Sequence, residues 1–158
     1  MIDFGKKLKE AKVAKALRPE EIYDSLDRTT EAGPLREVQK NILDEWYEHY
    51  RDKKDLIIKL HTGEGKTLIG LLILQSILNQ KAGPSIYICP TKNLAAQVMK
   101  EAKKFGIPFC TITDSYLPVE YENGDKILIT YVHKVFNGRT VFGRRGQTIA
   151  FGCCILDD

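Results

Sequence analysis

No apolar run of membrane length occurs in this 158-residue chain. Its longest, around Leu68 to Leu78, is too short to cross a bilayer. No signal peptide precedes it, so the reading is a cytoplasmic protein. Metal-ligand spacing is also missing. The four cysteines, Cys89, Cys110, Cys153 and Cys154, sit in apolar strand-like runs, which suggests reduced buried thiols rather than disulfides or zinc. There is no large excess of one charge, the formal net being +3. What excess there is sits at the start, where Lys6, Lys7, Lys9, Lys12, Lys15 and Arg18 outnumber Asp3 and Glu10. No aromatic platform interleaves these lysines, and Phe4, Leu8, Ala11 and Leu17 fall near helical spacing. An amphipathic helix with a solvated basic face is therefore favoured over a basic arm for phosphates. The whole chain is 43% hydrophobic and 28% charged, the composition of one ordinary globular domain with room for a real core.

The chain is organised around Leu60-His61-Thr62-Gly63-Glu64-Gly65-Lys66-Thr67. An apolar run, Leu56 to Leu60, leads in as a short buried strand, and Leu68 to Leu78 leads out as a helix. Between them, Gly63 and Gly65 let backbone amides turn inward with no Cβ in the way, a concave anion site at a helix N-terminus. In such a loop Lys66 reaches the β- and γ-phosphates and the Thr67 hydroxyl binds magnesium. The strict phosphate-loop pattern wants Gly at position 60, where this chain has Leu. The strand, loop and helix context is nevertheless complete.

In chain order, helices are expected over 5–16, over Glu20 to Leu26 after Pro19, and over Leu35 to Tyr50. The last carries Leu35, Val38, Ile42, Leu43, Trp46, Tyr47 and Tyr50 on one stripe. Gln39 lies at the opposite edge of that stripe, where a surface glutamine is the default. Beyond the phosphate loop come a strand, Ser85 to Cys89, and a helix, Leu94 to Phe105, capped by Thr91 or Asn93. A strand, Phe109 to Ile112, a loop over 113–126 with an Asn123-Gly124 turn, a strand, Lys126 to Tyr131, and a short helix, Val132 to Phe136, follow. A Gly- and Arg-rich loop, Asn137 to Gln147, leads to an apolar strand, Thr148 to Leu156, ending in Asp157-Asp158. Strands alternate with helices and read as continuous apolar runs, which predicts an α/β fold with a parallel sheet covered on both faces. At the C-terminal edge of such a sheet, one carboxylate can share the Thr67 magnesium ion and a second can orient water.

Gln39, Thr62 to Thr67, Pro90-Thr91-Lys92-Asn93-Leu94-Ala95-Ala96-Gln97, Ile129-Thr130-Tyr131 and Ile155-Leu156-Asp157-Asp158, in that order, resemble the first RecA-like domain of superfamily 2 helicases of the DEAD/DEAH-box type. The resemblance covers residues 33–158, with 1–32 as a helical extension. It implies a phosphate-loop, three-layer domain with a mainly parallel sheet that binds ATP and Mg2+ and a DNA or RNA strand. Gln39 matches the glutamine that reads adenine. Thr62, Gly63, Glu64, Gly65, Lys66 and Thr67 match the phosphate and magnesium loop, and Pro90, Thr91, Lys92 and Gln97 an element that holds the nucleic acid backbone. Thr130 is similar to a later threonine that contacts the same nucleic acid strand. Asp157 matches the magnesium aspartate of the D-E-x-H box, and Asp158 stands where the catalytic glutamate belongs.

Asp at 158 shortens the reach of the general base by one methylene. The arginine finger and second RecA-like domain of the resembled family are not in this sequence, and removing such a finger costs about 10³–10⁵ in rate. The resemblance therefore implies a fragment that scarcely turns ATP over. It also implies an apolar slot, because the family inserts the strand after its aspartate box between the phosphate-loop and aspartate-box strands. The sheet would then rearrange, close the gap or pair with another copy. Other readings are a phosphate-loop kinase, with its aspartate strand directly beside the phosphate-loop strand, a preprotein-pumping motor, whose Thr-Gly-Glu-Gly-Lys-Thr loop is similar, and a non-enzymatic nucleic acid binder.

Overall fold

A computed structural model of the chain describes residues 14–113, 116–136 and 151–158. Residues 5–13 of the helix expected over 5–16, with Lys6, Lys7, Lys9 and Lys12, lie outside these residues. So do the Gly- and Arg-rich stretch and the first three residues of the strand expected over 148–156, whose next two, Phe151 and Gly152, are not strand. Residues 14–17 are not helical. The carbonyls of Ala16 and Leu17 instead accept hydrogen bonds from Asn79 Nδ2 (2.7 Å) and Ser76 Oγ (2.6 Å), which ties this segment to the central helix.

Strands β1 (Ser85–Cys89), β2 (Phe109–Cys110), β3 (Ile127–Tyr131) and β4 (Cys153–Leu156) form one all-parallel sheet in the order β2-β3-β1-β4. Ile86 stands opposite Leu128 on one side and Cys154 on the other, and Ile88 opposite Thr130 and Leu156. The helices are α1 (Pro19–Ser25), α2 (Glu37–Glu45, widening to π-helix over Trp46–Tyr50), α3 (Lys66–Asn79), α4 (Lys92–Phe105), α5 (Val119–Glu122) and α6 (Val132–Val135).

Alternate residues of the strands serve two cores, as a two-sided parallel sheet requires. Tyr87, Cys89, Ile127 and Ile129 pack with α3 and with Ala95, Val98 and Ala102 of α4. Ile86, Ile88 and Leu128 pack on the other face with Leu117 and Tyr121. Every residue from Leu68 to Leu78 is buried, as expected of a helix that is apolar all round. Thr91 caps α4, its hydroxyl accepting from Leu94 N at 3.3 Å.

The structure corrects the sequence reading at several elements. Leu56 to Leu60 is not a strand, and Ile57 is 82% exposed. No described strand lies beside it to take its backbone hydrogen bonds, and a strand without a ladder partner does not persist. α2 begins at Glu37, not Leu35, and Val38 and Tyr50 of its expected stripe are exposed. The loop expected over 113–126 contains α5. Cys89 is buried, but Cys154 is exposed because β4 is the sheet's edge; all four cysteines are free. No helix among the described residues is long and apolar enough to cross a membrane.

Candidate functional site

The loop between the 54–60 segment and α3 is shaped by its two glycines. Gly63 and Gly65 have φ of 88° and 81°, the left-handed region that a Cβ disfavours. Nothing lies within 4 Å of where a Gly63 Cβ would sit, so the cradle is open on that side. The loop also closes on itself, Glu64 Oε2 accepting from His61 N at 2.8 Å.

α2 grips the loop from behind. Arg36 Nη1 donates to Gly63 O at 2.6 Å and Gln39 Nε2 to Glu64 O at 3.2 Å. Gln39 Oε1 accepts from Arg36 N at 3.0 Å, which also caps the helix start. Gln39 is thus no surface glutamine: it is 5% exposed and lies against the phosphate loop. Arg36 escaped the sequence reading. Its signal was a cation three residues before Gln39, on the helix leading to the loop.

Lys66 and the two carboxylates, far apart in sequence, are brought to one cavity at the C-terminal edge of the sheet. Lys66, Asp157 and Asp158 line one cavity of about 760 Å³, which extends between the 54–60 segment and β4 over Ile69, Gly70 and Ile73 of α3. Asp157 N donates to Ile88 O at 2.9 Å, which fixes its backbone just beyond β4. The Tyr87 hydroxyl donates to Asp157 Oδ2 at 3.0 Å and also adjoins the Thr67 hydroxyl. Tyr87 was missed as well. Its signal was one polar-tipped ring inside the otherwise apolar β1. Burial, and secondly the Asp157 charge, hold the Tyr87 phenol above its ordinary range and push the Cys89 thiol up to about 12. Glu101 of α4 is also raised, by burial first, with Lys104 opposing and Asp157 adding to the shift.

The cavity wall mixes apolar side chains with Lys54, Asp55, Lys59 and the site carboxylates. The cavity separates the 54–60 segment from the aspartate-bearing β4, which pairs with β1 instead. That is not the layout the kinase reading needs, in which the aspartate strand adjoins the phosphate-loop strand. Pro90, Thr91, Lys92 and Gln97 are exposed together where β1 passes into α4. Thr130 does not join them. It is 2% exposed within β3, held inside the sheet by its register opposite Ile88, and a nucleic acid backbone has no route to it in this arrangement.

Among the described residues no group of three His, Cys, Asp or Glu side chains is placed to hold a metal ion. A cation here would complete its shell with phosphate oxygens, which is how magnesium is usually held. The open cradle at Gly63, Lys66 beside it, and a hydroxyl and a carboxylate meeting at Tyr87 fit a magnesium-bound triphosphate. No curated protein and no solved structure matches the chain. The family model for DEAD/DEAH box helicases matches residues 36–141. That span holds the helix gripping the loop, the loop itself, and β1 to β3. The chain therefore belongs to the DEAD/DEAH box helicase family.

Proposed function

We propose that this chain is the nucleotide-binding part of an ATP-dependent nucleic acid helicase or translocase. The observation that carries the reading is the convergence of Lys66, Asp157 and Asp158 on one cavity beside an open glycine cradle. ATP with Mg2+ would supply the scissile phosphoanhydride and the positive charge that offsets its developing negative charge. Amides of Thr62 to Thr67 would hold the phosphates at the N-terminus of α3, and Lys66 would neutralise the γ-phosphate. Thr67 and Asp157 would hold the cation, and Asp158 would orient water and accept its proton. Gln39 would read the adenine edge by exchanging its loop contact for the base. Pro90, Thr91, Lys92 and Gln97 present amides, a hydroxyl, a cation and an amide side chain suited to a DNA or RNA backbone.

Among the described residues no arginine lines the cavity, and removing an arginine finger costs about 10³–10⁵ in rate in related phosphoryl-transfer sites. Hydrolysis by the residues named here is therefore expected to be slow. The test is equilibrium binding of a fluorescent ATP analogue and of single-stranded DNA and RNA to the 158-residue chain, each alone and together. Magnesium-dependent nucleotide binding that Lys66→Ala abolishes supports the reading. No nucleotide binding refutes it, and binding of unfolded polypeptide in place of nucleic acid moves it to a protein-pumping motor. Strong nucleic-acid-stimulated ATPase from the chain alone would overturn the expectation of slow turnover.

A further inference from the structure

We infer that Tyr87 is a positioning residue of the magnesium site, its phenol holding the Asp157 carboxylate toward the Thr67 hydroxyl. The inference rests on the proposed nucleotide reading.

Three observations carry it. First, the Tyr87 hydroxyl spans the two groups on which the cation depends, donating to Asp157 Oδ2 at 3.0 Å while adjoining Thr67. A phenol has one proton, and it goes to the carboxylate; Thr67, also a donor, can complete the chain from the other side. Second, the ring is fixed. Tyr87 is 1% exposed in the middle of β1, with β3 on one side and β4 on the other. Third, α3 is cut away to receive it. A Cβ on Gly70 would stand 2.9 Å from Tyr87 Cε2 and 3.2 Å from Ile155 Cδ1. Gly70 lies one turn after Thr67 in α3, so it lets the ring rise between the helix and β4 to reach both groups.

The Asp157 backbone is held by its bond to Ile88 O, but its side chain lies past the last β4 residue, half-buried, at the edge of the sheet. A carboxylate in that position has several rotamers, and the phenol selects one. Such outer partners of metal ligands typically alter metal affinity by about 10–100-fold when removed.

The experiment is Tyr87→Phe in the full 158-residue chain, which keeps the ring and its packing. Mn2+ affinity in the presence of a non-hydrolysable ATP analogue is read by electron paramagnetic resonance. Analogue affinity in EDTA and the unfolding midpoint are measured beside it. The expected result is a loss of about tenfold in Mn2+ affinity, with analogue affinity in EDTA within twofold of the parent. Gly70→Ala, which crowds the ring, is expected to weaken Mn2+ in the same direction. Unchanged Mn2+ affinity in Tyr87→Phe overturns the inference, as does an equal loss with and without metal, which a merely structural ring would give. If the parent chain binds no nucleotide at all, the nucleotide reading itself fails. Binding by the parent with an indifferent Tyr87→Phe sinks only the role of Tyr87.

Discussion

Gly65→Ala is the most demanding test of the loop's architecture. Its residue has φ of 81°, and a Cβ there would come within 2.2 Å of Gln39 Nε2. The left-handed backbone costs an alanine about 1–2 kcal/mol. The clash then drives Gln39 off its two hydrogen bonds, to Glu64 O and from Arg36 N, at about 1 kcal/mol each. The single variant is therefore expected to lose about 3–4 kcal/mol, and Gln39→Ala alone about 2 kcal/mol. In the double variant nothing remains to clash. Its loss should fall back to about 3–4 kcal/mol, some 2 kcal/mol less than the sum of the singles, where unconnected sites add within about 0.5 kcal/mol. Urea unfolding of the four proteins measures the cycle. Additive losses would mean that α2 and the loop do not meet as described.

Thr91→Ala removes the cap of α4 and should cost about 1 kcal/mol in urea unfolding, with Thr91→Ser recovering most of it. Glu101→Gln should stabilise the chain at pH 7. The folded state holds this carboxyl above its ordinary value of 4.5 through burial first, so its contribution is fully present below that value and is lost as pH rises through the folded one. The gain from glutamine should thus be largest at neutral pH and vanish below pH about 4, as stability curves against pH would reveal. Ile57, 82% exposed at the wall of the cavity, should promote self-association of the chain. Ile57→Lys is expected to shift a concentration-dependent gel-filtration profile toward monomer with little change in unfolding free energy, about 0.5 kcal/mol or less.

Elements with local causes were legible in the sequence. β1 appears over Ser85–Cys89 as expected, and α3 differs only at its ends, because five apolar residues between turns and an all-apolar helix have few alternative homes. Thr91 was legible because capping is a contact three residues long. The 54–60 segment was misread for the opposite reason. Its composition suits a strand, but a strand exists only where neighbours accept its hydrogen bonds, and that is a property of the sheet. The burial of Gln39 and the partner of Tyr87 were not legible, on similar grounds. The glutamine's burial depends on a loop 25 residues away, and the tyrosine's partner, Asp157, lies 70 residues away.

The loop's independence from its lead-in segment follows from the same contacts. In an open parallel sheet the strand before a phosphate loop sets where the loop stands. Here that segment lies outside the ladder, yet both loop glycines keep left-handed φ and the carboxylates face Lys66 across one cavity. Arg36 and Gln39 explain this, since they hold the carbonyls of Gly63 and Glu64 from α2. The opposite wall has a separate anchor, the β1–β4 register continued by Asp157 N to Ile88 O. Loop and carboxylate are thus fixed by different neighbours, and among the described residues no strand ties the 54–60 segment to β4. Tyr87 and Gly70 act across that division, where β1 and α3 bring Thr67 and Asp157 to one phenol.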